Sequence, residues 1–395
     1  MDSGDAQPSL AATVAALGIA QIVSWGTLFY TIAVLGRAMR EATGVSEIVM
    51  YGAYSAGLAI SGLLAPWVGR TIDRRGGRIV LSWGSVAAAV ACLALAAVQG
   101  PATLVLAWLM AGAAMAATLY DPAFATLHQL AGPSYRRAVT ALTLFGGLAS
   151  TASWPASQWL LDAHGFRVAF VVYALLNLVL CLPLHLAFVP RHGVAGDGAH
   201  AAPDAAAPAP PDDARRAYLW LAVALTGASF TASALAAHMI EVLTQRGLDA
   251  ADAVVVGALI GPMQVAGRIL EFALGRVIRP LVAGTLAFAA LAASLVLLTQ
   301  LSGGFVPAVL FAVLYGASNG VMTIVRGTVP AELFGRRDYG ALLGRLAQPQ
   351  FIARAIAPAG FALLVAFDPQ RGLALAALAG CAVLAWIAYQ RAVAR

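Results

Sequence analysis

The chain has no lysine, so all 24 of its basic residues are arginine. That excludes a phosphate-binding loop of the G-x-x-x-x-G-K-[ST] kind, and with it an ATP-driven pump on this chain. Cysteine is scarce: Cys92, Cys181 and Cys381 are the three in 395 residues, each inside an apolar run. An odd number of thiols in such settings reads as small buried hydrophobes, not a disulfide framework. No H-E-x-x-H or C-x-x-C occurs, so no metal or other cofactor is expected. Charge is scarce too, at 11% of residues, against roughly 25% in soluble domains. This excludes a soluble enzyme, a disordered chain and a nucleic-acid-binding domain. With no paired catalytic groups visible, no enzymatic activity is expected.

Apolar residues dominate instead. They make up 61% of the chain, about 241 residues, and the mean hydropathy is +0.82. A membrane-spanning helix needs roughly 20 such residues, so the total is enough for about twelve. The runs are continuous, which disfavours a barrel of alternating strands. Asp2 and Asp5 stand where a cleavable signal would carry basic residues, so none is expected.

The runs predict an all-α membrane protein with spans near 11–38, 47–69, 78–99, 102–131, 138–161, 166–189, 217–243, 252–275, 281–300, 305–331, 341–366 and 372–391. The stretch 190–216, with GDGAHAAPDAAAPAPPDDARR, has linker composition. It divides the chain into an N-terminal bundle of six helices (1–189) and a C-terminal one (217–395). With the N-terminus placed in the cytoplasm, 15 arginines fall on the cytoplasmic side. Five fall outside: Arg37, Arg40, Arg167, Arg246 and Arg371. That bias sets the orientation, with both termini and the linker cytoplasmic at a bacterial inner membrane. Most of the net charge of +6 thus reports topology, not an anionic partner. The loop pair Arg136-Arg137 recurs as Arg336-Arg337, 200 residues on, and Gly69-Arg70 recurs as Gly275-Arg276 at an offset of 206. A six-helix repeat of this kind implies two similar bundles with a central substrate site. The expected partners are a small-molecule substrate, protons and the bilayer, with no nucleic acid and a monomeric state.

Between spans 2 and 3 the chain reads Gly69-Arg-Thr-Ile-Asp73-Arg74-Arg75-Gly76-Gly77-Arg78. Gly69 permits close helix approach. Asp73 is placed to pair with a basic group or to cap the next helix. Gly76 and Gly77 permit a tight turn. The segment resembles the G-x-x-x-D-R-x-G-x-R signature of the Major Facilitator Superfamily. The resemblance implies two six-helix bundles that work by alternating access, with Gly69, Asp73, Arg74, Gly76 and Arg78 in a cytoplasmic gate. Span 5 lacks the G-x-x-x-G-P-x-x-G-G of proton-driven drug exporters, and span 4 has no mid-span Arg. Arg268 in span 8 and Tyr120 in span 4 resemble the monocarboxylate-porter and oxalate/formate-type branch. There the span 8 Arg binds the substrate carboxylate. Gln264 stands where many members have a coupling Asp.

A charge in hydrocarbon is unfavourable by roughly 2.5–3.5 kcal/mol on insertion scales, so such residues face the protein interior. Arg268 lies about 24 Å into span 8. It is a candidate anion anchor, with a structural pair to Glu271 as the plain alternative. Arg354 is a second cationic contact. Arg326 and Arg345 read as gate or interface groups that snorkel. Asp121, followed by Pro122, is the candidate proton-linked carboxylate, and Glu271 competes for that role. Tyr120, Gln21, Tyr30 and Asn319 are further substrate-binding candidates. Gln21, Ser24, Leu28 and Thr31 form one stripe, facing a cavity or a neighbouring helix. His128 and His185 read as interfacial, and His238 with Glu241 as a possible outer gate. The expected function is proton-coupled transport of a small organic anion. The alternatives are efflux of an amphipathic or anionic toxicant, and a non-transporting sensor.

Overall fold

The computed structural model describes residues 8–191, 212–302, 304–335, 338–368 and 372–394. The expected linker therefore lies mostly outside the described residues, as do Arg336, Arg337, Arg371 and Arg395. Among the described residues the chain is helical, with no strand. The helices are α1 (Leu10–Ser24), α2 (Thr31–Thr43), α3 (Glu47–Arg75), α4 (Gly77–Ala96), α5 (Pro101–Thr118), α6 (Tyr120–Ala131), α7 (Tyr135–Gly147), α8 (Ala149–Leu176) and α9 (Leu182–Phe188). They continue as α10 (Asp212–Gln245), α11 (Ala250–Leu274), α12 (Pro280–Gln300), α13 (Phe305–Phe334), α14 (Tyr339–Phe367) and α15 (Gly372–Val393). Nine described stretches are long and apolar enough to cross a membrane, and one, Pro101–Phe188, runs for 88 residues. That run takes in three of the expected spans. Each of the twelve expected spans overlaps a helix, consistent with the count.

Local chemistry sets the ends. Ser9, Ser46 and Asp249 cap α1, α3 and α11 by accepting from the N–H of Ala12, Val49 and Asp252. Pro101 and Pro280 open α5 and α12, where a missing N–H is harmless. Gly165, at φ 81°, breaks α8 between the expected fifth and sixth spans. Two spans depart from α geometry part-way. Trp25–Phe29 forms a π turn, closed by Tyr30 N–H on Trp25 O at 2.8 Å, and Asn177–Cys181 forms another.

The contacts divide the chain into two units. One is Met1–Pro203 with Arg336–Gln348; the other is Asp204–Gly335 with Pro349–Arg395. The first turns of α14 thus belong to the first unit and its remainder to the second. Both units use the same close helix pair. In the first, α3 meets α5 with Gly57 and Gly112 backbone to backbone. In the second, α11 meets α13, with Gly267 against Ala317 and Gly320 against Gln264. In lipid, helix association rests on packing and small residues, not on expulsion of water.

A Cβ on Gly112 would collide with the Gly57 carbonyl, whereas one on Gly52 meets nothing within 4 Å. Gly112→Val is expected to destabilise the first unit by about 1–3 kcal/mol, as overpacking does, and Gly52→Ala to be near neutral. Thermal unfolding in detergent checks both.

Candidate functional site

In the second unit, α11 carries Arg268 and Glu271 one turn apart, and both are buried. No ion pair joins them among the described residues, although that was the plain structural reading. Nε and Nη1 of Arg268 are buried and meet no hydrogen-bond acceptor among the described residues. Two further arginines flank one ring: Arg326 of α13 lies 5.6 Å from the centre of Phe351 and Arg354 of α14 lies 5.5 Å from it. Stacking on an aromatic face is a favourable setting for a guanidinium away from water. Arg326 is buried, not snorkelling as expected; its position on α13 leaves it among packed helices. Arg354 is half-buried, and its carbonyl accepts from Ser233 Oγ at 2.9 Å. Asn319 spends an amide N–H on Tyr315 O at 2.9 Å, within its own helix. His238 reaches Pro358 O at 3.3 Å, while Glu241 is exposed.

In the first unit, the expected fourth span is broken. α5 ends at Thr118, Leu119 is extended (φ −77°, ψ −161°), and α6 begins at Tyr120. The break leaves carbonyls without helical partners, and Gln21 answers them: its Nε2 donates to Thr118 O at 2.7 Å and Leu119 O at 3.4 Å. Its Oε1 accepts from Trp25 Nε1 at 3.0 Å. The polar stripe of the first span therefore faces a neighbouring helix at Gln21. Asp121 sits buried in the first turn of α6, at the positive end of the helix dipole. Pro122 there leaves no N–H to satisfy. Tyr120 is buried, stacked on Phe124 with centroids 5.3 Å apart and 5.0 Å from Trp25. Tyr30 is half-buried beside Trp25 and Trp154.

His128 and His185 are not interfacial. His185 is 1% exposed, with Nδ1 2.9 Å from Ser85 Oγ. His128 is 5% exposed and stacks on Tyr339 at 3.9 Å. Proximity to a span end in sequence says nothing of the neighbours that cover a residue, and here packed helices replace the interface.

Asp73 closes the first unit at the end of α3. Its Oδ1 accepts from Gly340 N–H at 2.8 Å and its Oδ2 from Ala341 N–H at 2.7 Å. The capped helix is α14, not the next helix α4. Gly69 and Gly340 allow this, since a Cβ on either would strike the other's carbonyl oxygen. Gly344 likewise lies against the Ala65 carbonyl. Gly76, at φ 79°, turns the chain into α4, and Gly77 packs on Thr126. Arg74 is exposed and Arg78 half-buried.

Family comparison agrees with this architecture. The profile described as Major Facilitator Superfamily matches residues 17–358. The chain belongs to the Major Facilitator Superfamily. Solved structures of that fold superpose over nearly the whole chain. The human organic anion transporter MFSD10 (TETRAN) gives a TM-score of 0.73 at 16% identity, covering 97% of this chain and 100% of that one. The superfamily transporter FucP in its outward conformation gives 0.72 at 12% identity, covering 96% and 98%. The E. coli fucose:proton symporter FucP gives 0.72 at 14%, covering 96% and 98%. A search of curated sequences finds no match. At these identities the likeness shows the fold. The chain is an integral membrane protein and a secondary transporter; the family and its structural neighbours are transport proteins, not enzymes.

Sequence reasoning missed Phe351, Tyr135 and Tyr339. The internal repeat did mark the loops that carry the two tyrosines, through their Arg pairs. Asp73→Ala is expected to weaken the seating of the first turn of α14 by about 0.5–2 kcal/mol, the usual loss for an N-cap. Amide exchange at 339–342 should quicken accordingly, and Arg74→Ala should leave it unchanged.

Proposed function

We propose that this transporter moves a small organic anion, a carboxylate, together with a proton, by alternating access across a bacterial inner membrane with both termini cytoplasmic. The buried guanidinium of Arg268 carries the reading, with two N–H groups that meet no acceptor among the described residues. A dry arginine with free donors takes a carboxylate bidentately and strongly. Arg354 is the second cationic contact. Coupling calls for a carboxylate that cycles between two protonation states, and Asp121, buried at the start of α6, is assigned that task. Glu271 is the competing carrier. The printed descriptions of two fold neighbours, an organic anion transporter and a fucose:proton symporter, are in keeping with this reading, as is the likeness of Arg268 and Tyr120 to the monocarboxylate-porter branch.

The test is thermal-shift titration of purified protein with formate, oxalate, lactate and benzoate, beside amino acids and cationic drugs. Uptake into liposomes with and without a pH gradient follows. At least one carboxylate should stabilise the protein and accumulate only with the gradient. Arg268→Gln should bind it about 10–100-fold more weakly, the loss of one charge-assisted contact of roughly 1.5–3 kcal/mol. Stabilisation by cations or neutral compounds alone overturns the anion reading. Unchanged carboxylate affinity in Arg268→Gln removes that residue from the site.

A further inference from the structure

The two π turns of the first unit meet, and buried oxygens gather at the meeting point. Thr27, in the turn Trp25–Phe29, accepts from Asn177 Nδ2 at 3.1 Å, and Asn177 opens the turn Asn177–Cys181. The second N–H of that amide goes to Tyr173 O at 2.9 Å. Both amide donors are therefore spent, which fixes the orientation of the amide and leaves Oδ1 as its open atom. Asn177 is 0% exposed, and its Oδ1 meets no hydrogen-bond donor among the described residues. Ser24 stands three residues before Thr27, on the same side of the helix. It is 1% exposed, and its Oγ has no hydrogen-bond partner among the described residues. On the first half of α8, Ser153 presses on the same turn, since a Cβ on Gly26 would collide with the Cβ of Ser153. The Oγ of Ser153 is likewise buried with no partner among the described residues.

Single open atoms occur elsewhere, at Ser61 and Ser82 for example. Here three belong to residues grouped around one turn, where the helical ladder is already loosened. All three are neutral oxygens, and no nitrogen donor is left open with them. A carboxylate placed there would face the acceptor Asn177 Oδ1. A divalent ion calls for carboxylate ligands, and none of these residues supplies one. Neutral side-chain oxygens beside a departure from helical backbone are the setting in which membrane proteins take up a hard monovalent cation. The close approach of Gly26 to Ser153 favours a small one, sodium over potassium.

We propose that this cluster binds a sodium ion, with Asn177 Oδ1, Ser24 Oγ and Ser153 Oγ as its ligands from the chain. Ser153 is half-buried and marks the side from which the ion enters. The ion ties the first span to both halves of α8 across the π turns, so the packing of that span depends on sodium. The inference is independent of Arg268 as anion anchor and of Asp121 as proton carrier.

Thermal unfolding of the purified full chain in detergent tests it, with sodium chloride exchanged for potassium or choline chloride at constant ionic strength. Chloride is the same throughout, so an anion held by Arg268 drops out of the comparison. The unfolding temperature should rise by several degrees in sodium alone and keep rising with the logarithm of its concentration. In Ser24→Ala and Ser153→Ala the same rise should need at least tenfold more sodium. Their unfolding in choline should match the wild type or lie above it, because each loses only a hydroxyl that had no partner. A serine needed only for packing would lower stability in every salt. Equal unfolding in sodium, potassium and choline overturns the site and leaves the open oxygens to buried water. A wild-type sodium response in both variants overturns the assignment of the ion to these residues.

Discussion

In hydrocarbon a backbone N–H or C=O has no water to turn to, and each one left unanswered is unfavourable by several kcal/mol. Two irregularities among the described residues are answered under that constraint. The break at Leu119 would strand the carbonyls of Thr118 and Leu119, and Gln21 from another helix supplies the missing donors. The start of α14 would strand N–H groups, and Asp73 supplies two acceptors. The π turns at Trp25–Phe29 and Asn177–Cys181 face each other through Asn177 Nδ2 on Thr27 Oγ1 at 3.1 Å. π turns gather at functional positions because they loosen the helical ladder where a side chain must be re-aimed.

The same constraint gives Arg268 its meaning. Elsewhere in the described residues, buried polar side chains are mostly spent on the protein itself. Ser318 Oγ donates to Ala287 O at 2.7 Å, and Asn319 donates to Tyr315 O. Tyr173 and Ser157 bond each other. Arg268 keeps two buried donors, Nε and Nη1, that meet no acceptor among the described residues, as single atoms such as Trp108 Nε1 and Ser61 Oγ also do; what distinguishes it is that the group is charged. Burying such donors unanswered is unfavourable, and that is what supports the proposed role of Arg268 as an anion contact. Exposed pairs such as Arg37 with Glu41 and Arg279 with Glu332 carry no such implication, because surface ion pairs are worth little.

Much of this was legible before any coordinates. Long apolar runs gave the spans because lipid forces continuous helix. Arg268, Asp121 and Asp73 stood out because charge is rare in such runs, and Pro122 marked the break beside Asp121. What the sequence could not carry is which distant side chains meet. Asp73 had a correct chemistry and the wrong partner: capping the helix that follows looked natural, but Gly340, 267 residues on, lets α14 come close enough. Tyr135 and Tyr339 carry no charge, so nothing marked them, and the pairing of their hydroxyls at 3.0 Å depends on the seating of α14. His128 was misplaced for a related reason. A histidine near a span end looks solvated until the ring that covers it, Tyr339, is known.

These particulars give α14 a distinctive position. Its first turns are held in the first unit by Asp73, by Gly69 and Gly344, and by the stack of Tyr339 on His128. From Pro349 onward it belongs to the second unit, where it bears Phe351 and Arg354. Pro349 lies inside the helix, where it removes one ladder hydrogen bond and eases bending. A single helix therefore has one end fixed by a set of polar and aromatic contacts. Its other part carries a cation proposed to contact substrate. Anything that alters the charge on Asp73, or the hydrogen bond between the tyrosines, acts on the seated end.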